Sequence, residues 1–176
     1  MVCCWNAGSH GAKDGAISRK LEHLALRLEE ADALIEQTAQ ENEQCQRLDA
    51  IPGIGPVTAT AVVAAIGNGA AFRKGRDFSA WIGIVPREHS TGGKQKLLGI
   101  SKRGNRYLRK LFVQCARAVL QQKTKQSPGL KQWLEKLTAR THYNVASVAL
   151  ANKLARMAWA VLATGEAYRA PLVAAA

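Results

Sequence analysis

The hexapeptide Ile51-Pro52-Gly53-Ile54-Gly55-Pro56 limits the folds open to this chain more than any other stretch. Pro52 disfavours a helical conformation at Ile51, and Gly53 and Gly55 admit the positive φ of a tight turn. Pro56 suits the first turn of a helix, where its missing N–H has no intrahelical partner to lose. One helix therefore ends near Ile51 and another begins at Pro56. The run that follows, VTATAVVAAIG, is rich in small residues that let helices approach closely. Alanine, leucine and valine dominate while aromatics make up only 6%, a balance that favours packed helices over a β-sandwich.

Hydrophobic-Pro-Gly-hydrophobic-Gly before a small-residue helix resembles a helix-hairpin-helix motif. Gly53 and Gly55 would there expose backbone N–H groups at a helix N-terminus, where a DNA phosphate binds without base readout. The plainer alternative is a turn between packed helices. Upstream, Ile17, Leu21, Leu24, Leu28, Ala31, Ile35 and Thr38 recur in steps of four and three, which is heptad spacing. The pattern continues less well through Asn42 and Cys45. Residues 15–49 thus read as a helical arm, either an amphipathic helix on its own domain or a coiled coil that pairs with another chain. Residues 1–14 read as a loose leader and residues 165–176 as a flexible tail.

Downstream, Gly67 ends the helix begun at Pro56, and Asp77 is expected to cap a short helix placing Phe78 and Trp81 in the core. Asn105 is expected to cap a helix with Leu108, Leu111, Phe112, Cys115 and Val119 inward and Arg106, Arg109 and Lys110 outward. Leu97, Leu98 and Ile100 suit a short extended piece or simply pin the loop. Lys123–Gly129 is a linker, Leu130–Arg140 a helix, and Asn144 the cap of a last helix from Val145 to about Ala163. Its Val148, Ala149, Asn152, Leu154, Ala155, Trp159 and Leu162 read as mainly buried. The fold class is all-α, with residues 50–164 as the main domain.

Charge is divided along the chain. Residues 1–49 hold five Lys/Arg against nine Asp/Glu, whereas residues 50–176 hold twenty against four. Between Arg73 and Lys110 alone there are eleven Lys/Arg and two acids, Asp77 and Glu88. Such a concentration points to a polyanion, and DNA is favoured because no basic amphipathic helix suits a lipid surface. Within this stretch lies Ser90-Thr91-Gly92-Gly93, a hydroxyl pair beside flexible backbone. Arg87, Lys94, Lys96, Lys102, Arg103, Arg106 and Arg109 surround it as candidate phosphate contacts. Gly92 and Gly93 let backbone N–H groups approach the same phosphate. Ser90 is the candidate nucleophile and Ser101 the second choice, with Glu88 and His89 as nearby candidate bases. A turn pair bonding its own backbone is the alternative for Ser90-Thr91. Cysteines at 3, 4, 45 and 115 show neither CxxC nor disulfide-like spacing, and the histidines are scattered. No signal-peptide pattern or run of eighteen apolar residues is present, so the chain reads as cytoplasmic.

Three stretches then carry a family resemblance: IPGIGPVTA, DFSAWIGIVPREHSTGGKQKLLGISKRGNRYLRKLFVQCARAV and NVASVALANKLARMAWAVL. They resemble the carboxy-terminal portion of the DEDD-type insertion-sequence transposases, the bridge-RNA-guided serine recombinases of mobile elements. Together they cover most of residues 51–163 in the family's order. Members have an amino-terminal RuvC-like domain with three Asp and one Glu holding magnesium, then a helical segment, then a domain with a catalytic serine. By its place in STGGK, Ser90 matches that serine. The resemblance implies a phosphoserine link to DNA and strand rejoining without ATP. It also implies DNA and guide RNA as partners, and a homo-oligomer or a full-length transposase met through the N-terminal helix.

Nothing in residues 1–49 matches the RuvC-like domain. The chain is accordingly expected to be a fragment, a truncated copy, or a partner of a separately encoded amino-terminal half, binding DNA with little or no catalysis alone and needing Mg2+ only together with the missing domain. Two rivals remain: a non-catalytic helix-hairpin-helix DNA-binding module, and a dimerising partner of a full-length transposase.

Overall fold

The computed structural model describes residues 10–122 and 127–170, with side chains of the first helix described from Ile17. Residues 1–9 of the expected leader, 123–126 of the expected linker and 171–176 of the expected tail lie outside these. Cys3 and Cys4 lie outside as well. Seven helices and one two-stranded sheet follow in order. They are α1 (His10–Glu41), α2 (Glu43–Asp49), α3 (Pro56–Ile66), α4 (Gly75–Trp81), β1 (Pro86–Glu88), β2 (Leu97–Ile100), α5 (Arg106–Gln121), α6 (Pro128–Thr138) and α7 (Tyr143–Thr164). The fold is mainly α, and the extended piece expected around Leu97–Ile100 is β2.

Local chemistry explains most boundaries. Pro56 begins α3 behind Gly55, and Gly67 closes it. Asn105 caps α5, its side-chain oxygen accepting from the Leu108 N–H at 3.0 Å. Gly165 ends α7 in the left-handed conformation. Three expectations shift. The arm is not one helix to residue 49, because Asn42 breaks it and caps α2 by accepting from the N–H groups of Gln44 and Cys45. Asp77 sits in the third position of α4, where its carboxylate accepts from the Lys74 N–H. His142 caps α7 in place of Asn144, its Nδ1 accepting from the Asn144 N–H.

α7 is the central helix, packed on α5 and α4. By length and composition it would suffice to cross a membrane. In this fold nine of its residues are buried, among them Ala151, Leu154, Ala155 and Ala158. The alanines permit close approach: a Cβ on Gly75 of α4 would stand 3.2 Å from the Arg156 carbonyl oxygen. α5 contributes Leu108, Phe112, Cys115, Ala116 and Val119 to the same core. Phe112 meets Phe78 edge-on at 6.0 Å, and burying each such side chain stabilises by about 1.5–3 kcal/mol. Trp81 packs on Phe72 and Phe78 yet stays 39% exposed, at the edge of the core and not within it. The expected burial along α7 holds for Leu154, Ala155 and Leu162, whereas Val148, Ala149, Asn152 and Trp159 are only half-buried.

The arm behaves differently. Ile17, Leu21, Leu24 and Leu28 are all more than half exposed, and Ala39 is the buried residue of α1. The described part of the heptad stripe therefore does not pack on its own domain over these turns.

Residues 82–85 and 101–104 cross at close range. Gly83 has φ 75° and Gly104 φ 96°, and a Cβ on Gly104 would lie 1.7 Å from the Trp81 carbonyl oxygen. Gly104→Ala should therefore lower unfolding free energy by about 2–4 kcal/mol in urea titration. Gly99→Ala, whose Cβ would meet open space, should stay within about 0.5 kcal/mol. Equal midpoints for the two would show that the crossing tolerates a side chain.

Candidate nucleic-acid interface

The Ser/Gly loop is a β-hairpin. β1 and β2 pair antiparallel, Pro86 opposite Ile100 and Glu88 opposite Leu97. Two steps on β1 face three on β2, so β2 carries a bulge that adds twist. Pairing resumes beyond it, with the His89 N–H donating to Lys96 O at 2.9 Å and a bridge between Thr91 and Lys94. Gly92 and Gly93 form the tip with φ 58° and 77°. Positive φ at both central residues is the type I′ turn that matches strand twist, which explains a Gly-Gly pair here. No atom lies within 4 Å of a Cβ placed on either, so the tip is open.

Ser90 is exposed on the flank of this hairpin. Its Oγ donates to Oε1 of Glu88 two residues earlier. Arg87, Thr91, Lys94 and Lys96 are exposed on the same hairpin, and Glu88 is its one carboxylate. At the foot, Lys102 and Arg103 are exposed, with Lys102 at φ 56°, an uncommon conformation for a side chain with a Cβ. Arg106 follows in the first turn of α5, which holds no acid. A cation there opposes the helix dipole and so favours an arriving anion.

Three residues expected at the phosphate are placed otherwise. Arg109 is half-buried, and its Nη1 donates to the Ile82 carbonyl at 2.8 Å, tying α5 to the hairpin's foot instead of facing outward. The second-choice hydroxyl, Ser101 Oγ, is buried without a hydrogen-bond partner. Gly53 has φ 84°, and its missing Cβ makes room for Val119 at 2.4 Å and the Cys115 carbonyl at 2.9 Å. It serves packing against α5, whereas Gly55 stands before α3 with open space beside it. The turn itself is held by the Ile54 N–H donating to Ile51 O at 3.0 Å.

Among the described residues no three His, Cys, Asp or Glu side chains come together to hold a metal ion. Glu88 beside a single hydroxyl does not fit a magnesium site, which needs several oxygen ligands. Cys115 and Cys45 are buried. Burial pushes both thiols up, with a hydrogen bond between Thr58 and Cys115 opposing this at Cys115, so neither suits nucleophilic work.

Sequence reasoning missed a second gathering of cations. Lys74 and Arg76 meet Lys153 and Arg156 across a groove beside α7. The available signal was the pair Lys153 and Arg156, three apart on one helix face among small residues.

Residues 45–132 match the family model for the transposase family IS116/IS110/IS902. A probable family 20 transposase of Pseudomonas aeruginosa is 45% identical over 150 residues, 85% of this chain and 44% of that protein. The transposase for insertion sequence element IS1328 of Yersinia enterocolitica is 44% identical over 146 residues, 83% of this chain and 44% of its own length. The transposase for insertion sequence element IS1111A of Coxiella burnetii is 47% identical over 135 residues, covering 77% of this chain and 37% of that one. The chain thus spans less than half the length of these relatives.

The two classes of cation should separate on substitution. Arg109→Ala leaves the Ile82 carbonyl without its donor and should cost about 1–3 kcal/mol by chemical denaturation. Lys94→Ala and Lys96→Ala, both exposed, should stay within about 0.5 kcal/mol. A silent Arg109→Ala would remove it as the anchor of the hairpin.

Proposed function

The chain belongs to the IS116/IS110/IS902 transposase family, and from that premise we propose that it binds DNA backbone through the basic hairpin and supplies Ser90 as the nucleophile for strand cleavage and rejoining. The observation that carries this reading is the Ser90 hydroxyl, exposed beside an open Gly-Gly tip and donating to the Glu88 carboxylate. A serine hydroxyl needs a base, and Glu88 is already in hydrogen-bond reach, so the choice left open between Glu88 and His89 falls on Glu88.

In the proposed step Ser90 Oγ attacks a backbone phosphorus and its proton passes to Glu88. The Oγ–P bond forms as the bond to one deoxyribose oxygen breaks, and that oxygen takes a proton from water and leaves as a hydroxyl; on rejoining the attacking hydroxyl returns its proton to water. Arg87, Lys94 and Lys96 on the hairpin, with Lys102, Arg103 and Arg106 at its foot, neutralise the charge that builds on phosphorus oxygens. Rejoining reverses the step: a hydroxyl of another DNA end attacks the phosphoserine, and Ser90 regains its proton. Bond count is conserved, so no ATP is consumed. The α2–turn–α3 unit, read as a helix-hairpin-helix, offers a further backbone grip through Gly55 at the start of α3.

Magnesium bound by three Asp and one Glu, and a guide RNA, are properties of the fuller family architecture, and we extend both to the protein in which this segment acts. A second reading, favoured by the exposed apolar stripe of α1, makes the arm a coiled coil that pairs with another copy or with a full-length transposase.

Covalent capture tests the nucleophile. DNA incubated with magnesium, guide RNA and a full-length transposase carrying this segment, then denatured, should yield a protein–DNA adduct that Ser90→Ala abolishes while DNA affinity stays within about twofold. Glu88→Gln should slow adduct formation by about 10²–10⁴-fold. If DNA is bound but no adduct forms, the non-catalytic binding module replaces this reading.

The arm is tested by sedimentation. Leu21→Glu with Leu28→Glu should convert a dimer to a monomer, since two like charges would enter the seam. An unchanged particle mass would refute pairing through this stripe.

A further inference from the structure

Four cations gather away from the hairpin, in a groove of about 650 Å³ between α4, α6 and α7. Lys74 and Arg76 come from the start of α4, Lys153 and Arg156 from α7, and Trp133 and Trp159 add indole surface. Among the described residues no Asp or Glu lines this groove. Lys153 Nζ stands 4.4 Å from the Trp133 ring centroid. Burial, and then the neighbouring Arg156 charge, hold the Lys153 ammonium below its usual range. Like charges brought together in a partly desolvated cleft cost stability unless an anion arrives. Arg76 and Arg156 are exposed and make little core packing, so folding alone gives no reason for the convergence.

Ala149, Asn152 and Arg156 also line a second groove, of about 760 Å³, that reaches Pro86, Leu98 and Ile100 at the hairpin's foot. The two form one track along α7. From Ala160 to Asn144 that helix rises about 24 Å, enough for several nucleotides.

We propose that this track is a second nucleic-acid site that takes a single-stranded segment, with phosphates held by Lys74, Arg76, Lys153 and Arg156 and bases against the indoles of Trp133 and Trp159. Cations along a concave groove with aromatic surface are what an unpaired strand uses; duplex bases are stacked on one another and cannot reach such a surface. A strand leaving the track arrives beside the hairpin. The inference does not rest on the chemistry assigned to Ser90.

Fluorescein-labelled oligo(dT) and oligo(U) of about ten nucleotides, with a duplex of equal length, are titrated against the full chain. Both single strands should quench tryptophan emission. Arg76→Ala with Arg156→Ala should weaken single-strand binding at least tenfold and reduce the salt slope by about 1.4. Duplex affinity should stay within about twofold, and the melting curve should not move. Arg76→Gln with Arg156→Gln should behave alike, guarding against a packing effect. Preference for one single strand identifies the source as DNA or RNA, and either supports the site. Unchanged oligonucleotide affinity in both double variants, absence of single-strand binding, or displacement by polyglutamate without any quenching would each overturn it. Lys94→Ala with Lys96→Ala should lower duplex affinity instead; if it does not, the hairpin reading fails and the track stands.

Discussion

The candidate site depends on two chain segments crossing where neither tolerates a Cβ. Gly83 faces the Arg103 backbone, with its carbonyl 2.0 Å from where a Cβ would stand, and Gly104 faces the Trp81 carbonyl in the same way. Across this crossing the Lys102 N–H donates to Gly83 O at 3.1 Å and the Ser101 N–H to Val85 O at 2.9 Å. Arg109 closes it from the helix side by donating to Ile82 O. The exposed hairpin has no hydrophobic core of its own, and a two-stranded ribbon is marginal in water. Its base is held because backbone meets backbone at the edge of a packed helical core.

That core owes its shape to α7. Leu150, Leu154 and Leu162 are buried in it, and the buried Ala151, Ala155 and Ala158 let neighbouring helices close in. Small residues at the contact explain how Gly75 of α4 comes within reach of the Arg156 carbonyl. The same packing lifts Asn152, Lys153 and Arg156 onto the outer side, where they line the track. One helix therefore sets both the rigidity behind the hairpin and the direction a bound strand would follow. Sites built on such supports hold their geometry better than sites on free loops.

Charge follows the architecture. The acidic share of the chain lies mainly on the arm, and α1 projects its Leu and Ile side chains into solvent. The basic share lies on the hairpin, its foot and the face of α7. The field of such a chain would attract an anion at one part and repel it at the other.

Much of this was legible without coordinates. Pro56, Gly67 and Asn105 act on the backbone within a few residues, so the bounds of α3 and the start of α5 follow from composition alone. Exposure of Ser90 beside two glycines was legible for the same local reason. Caps where several side chains compete were not: Asn144 and His142 both suit the start of α7, and only geometry selects the histidine. Outward placement of Arg109 failed because helical periodicity assigns a face but does not say what crosses it. Gly53 was legible as a turn glycine, yet its neighbours Val119 and Cys115 come from a helix remote in sequence. The sequence by itself determined the bounds of α3, the start of α5 and how charge is apportioned, since these depend on short-range preferences. Tertiary structure alone decided which cations anchor, which stay free, and that Lys74 and Arg76 meet Lys153 and Arg156, because convergence is set by how distant helices pack.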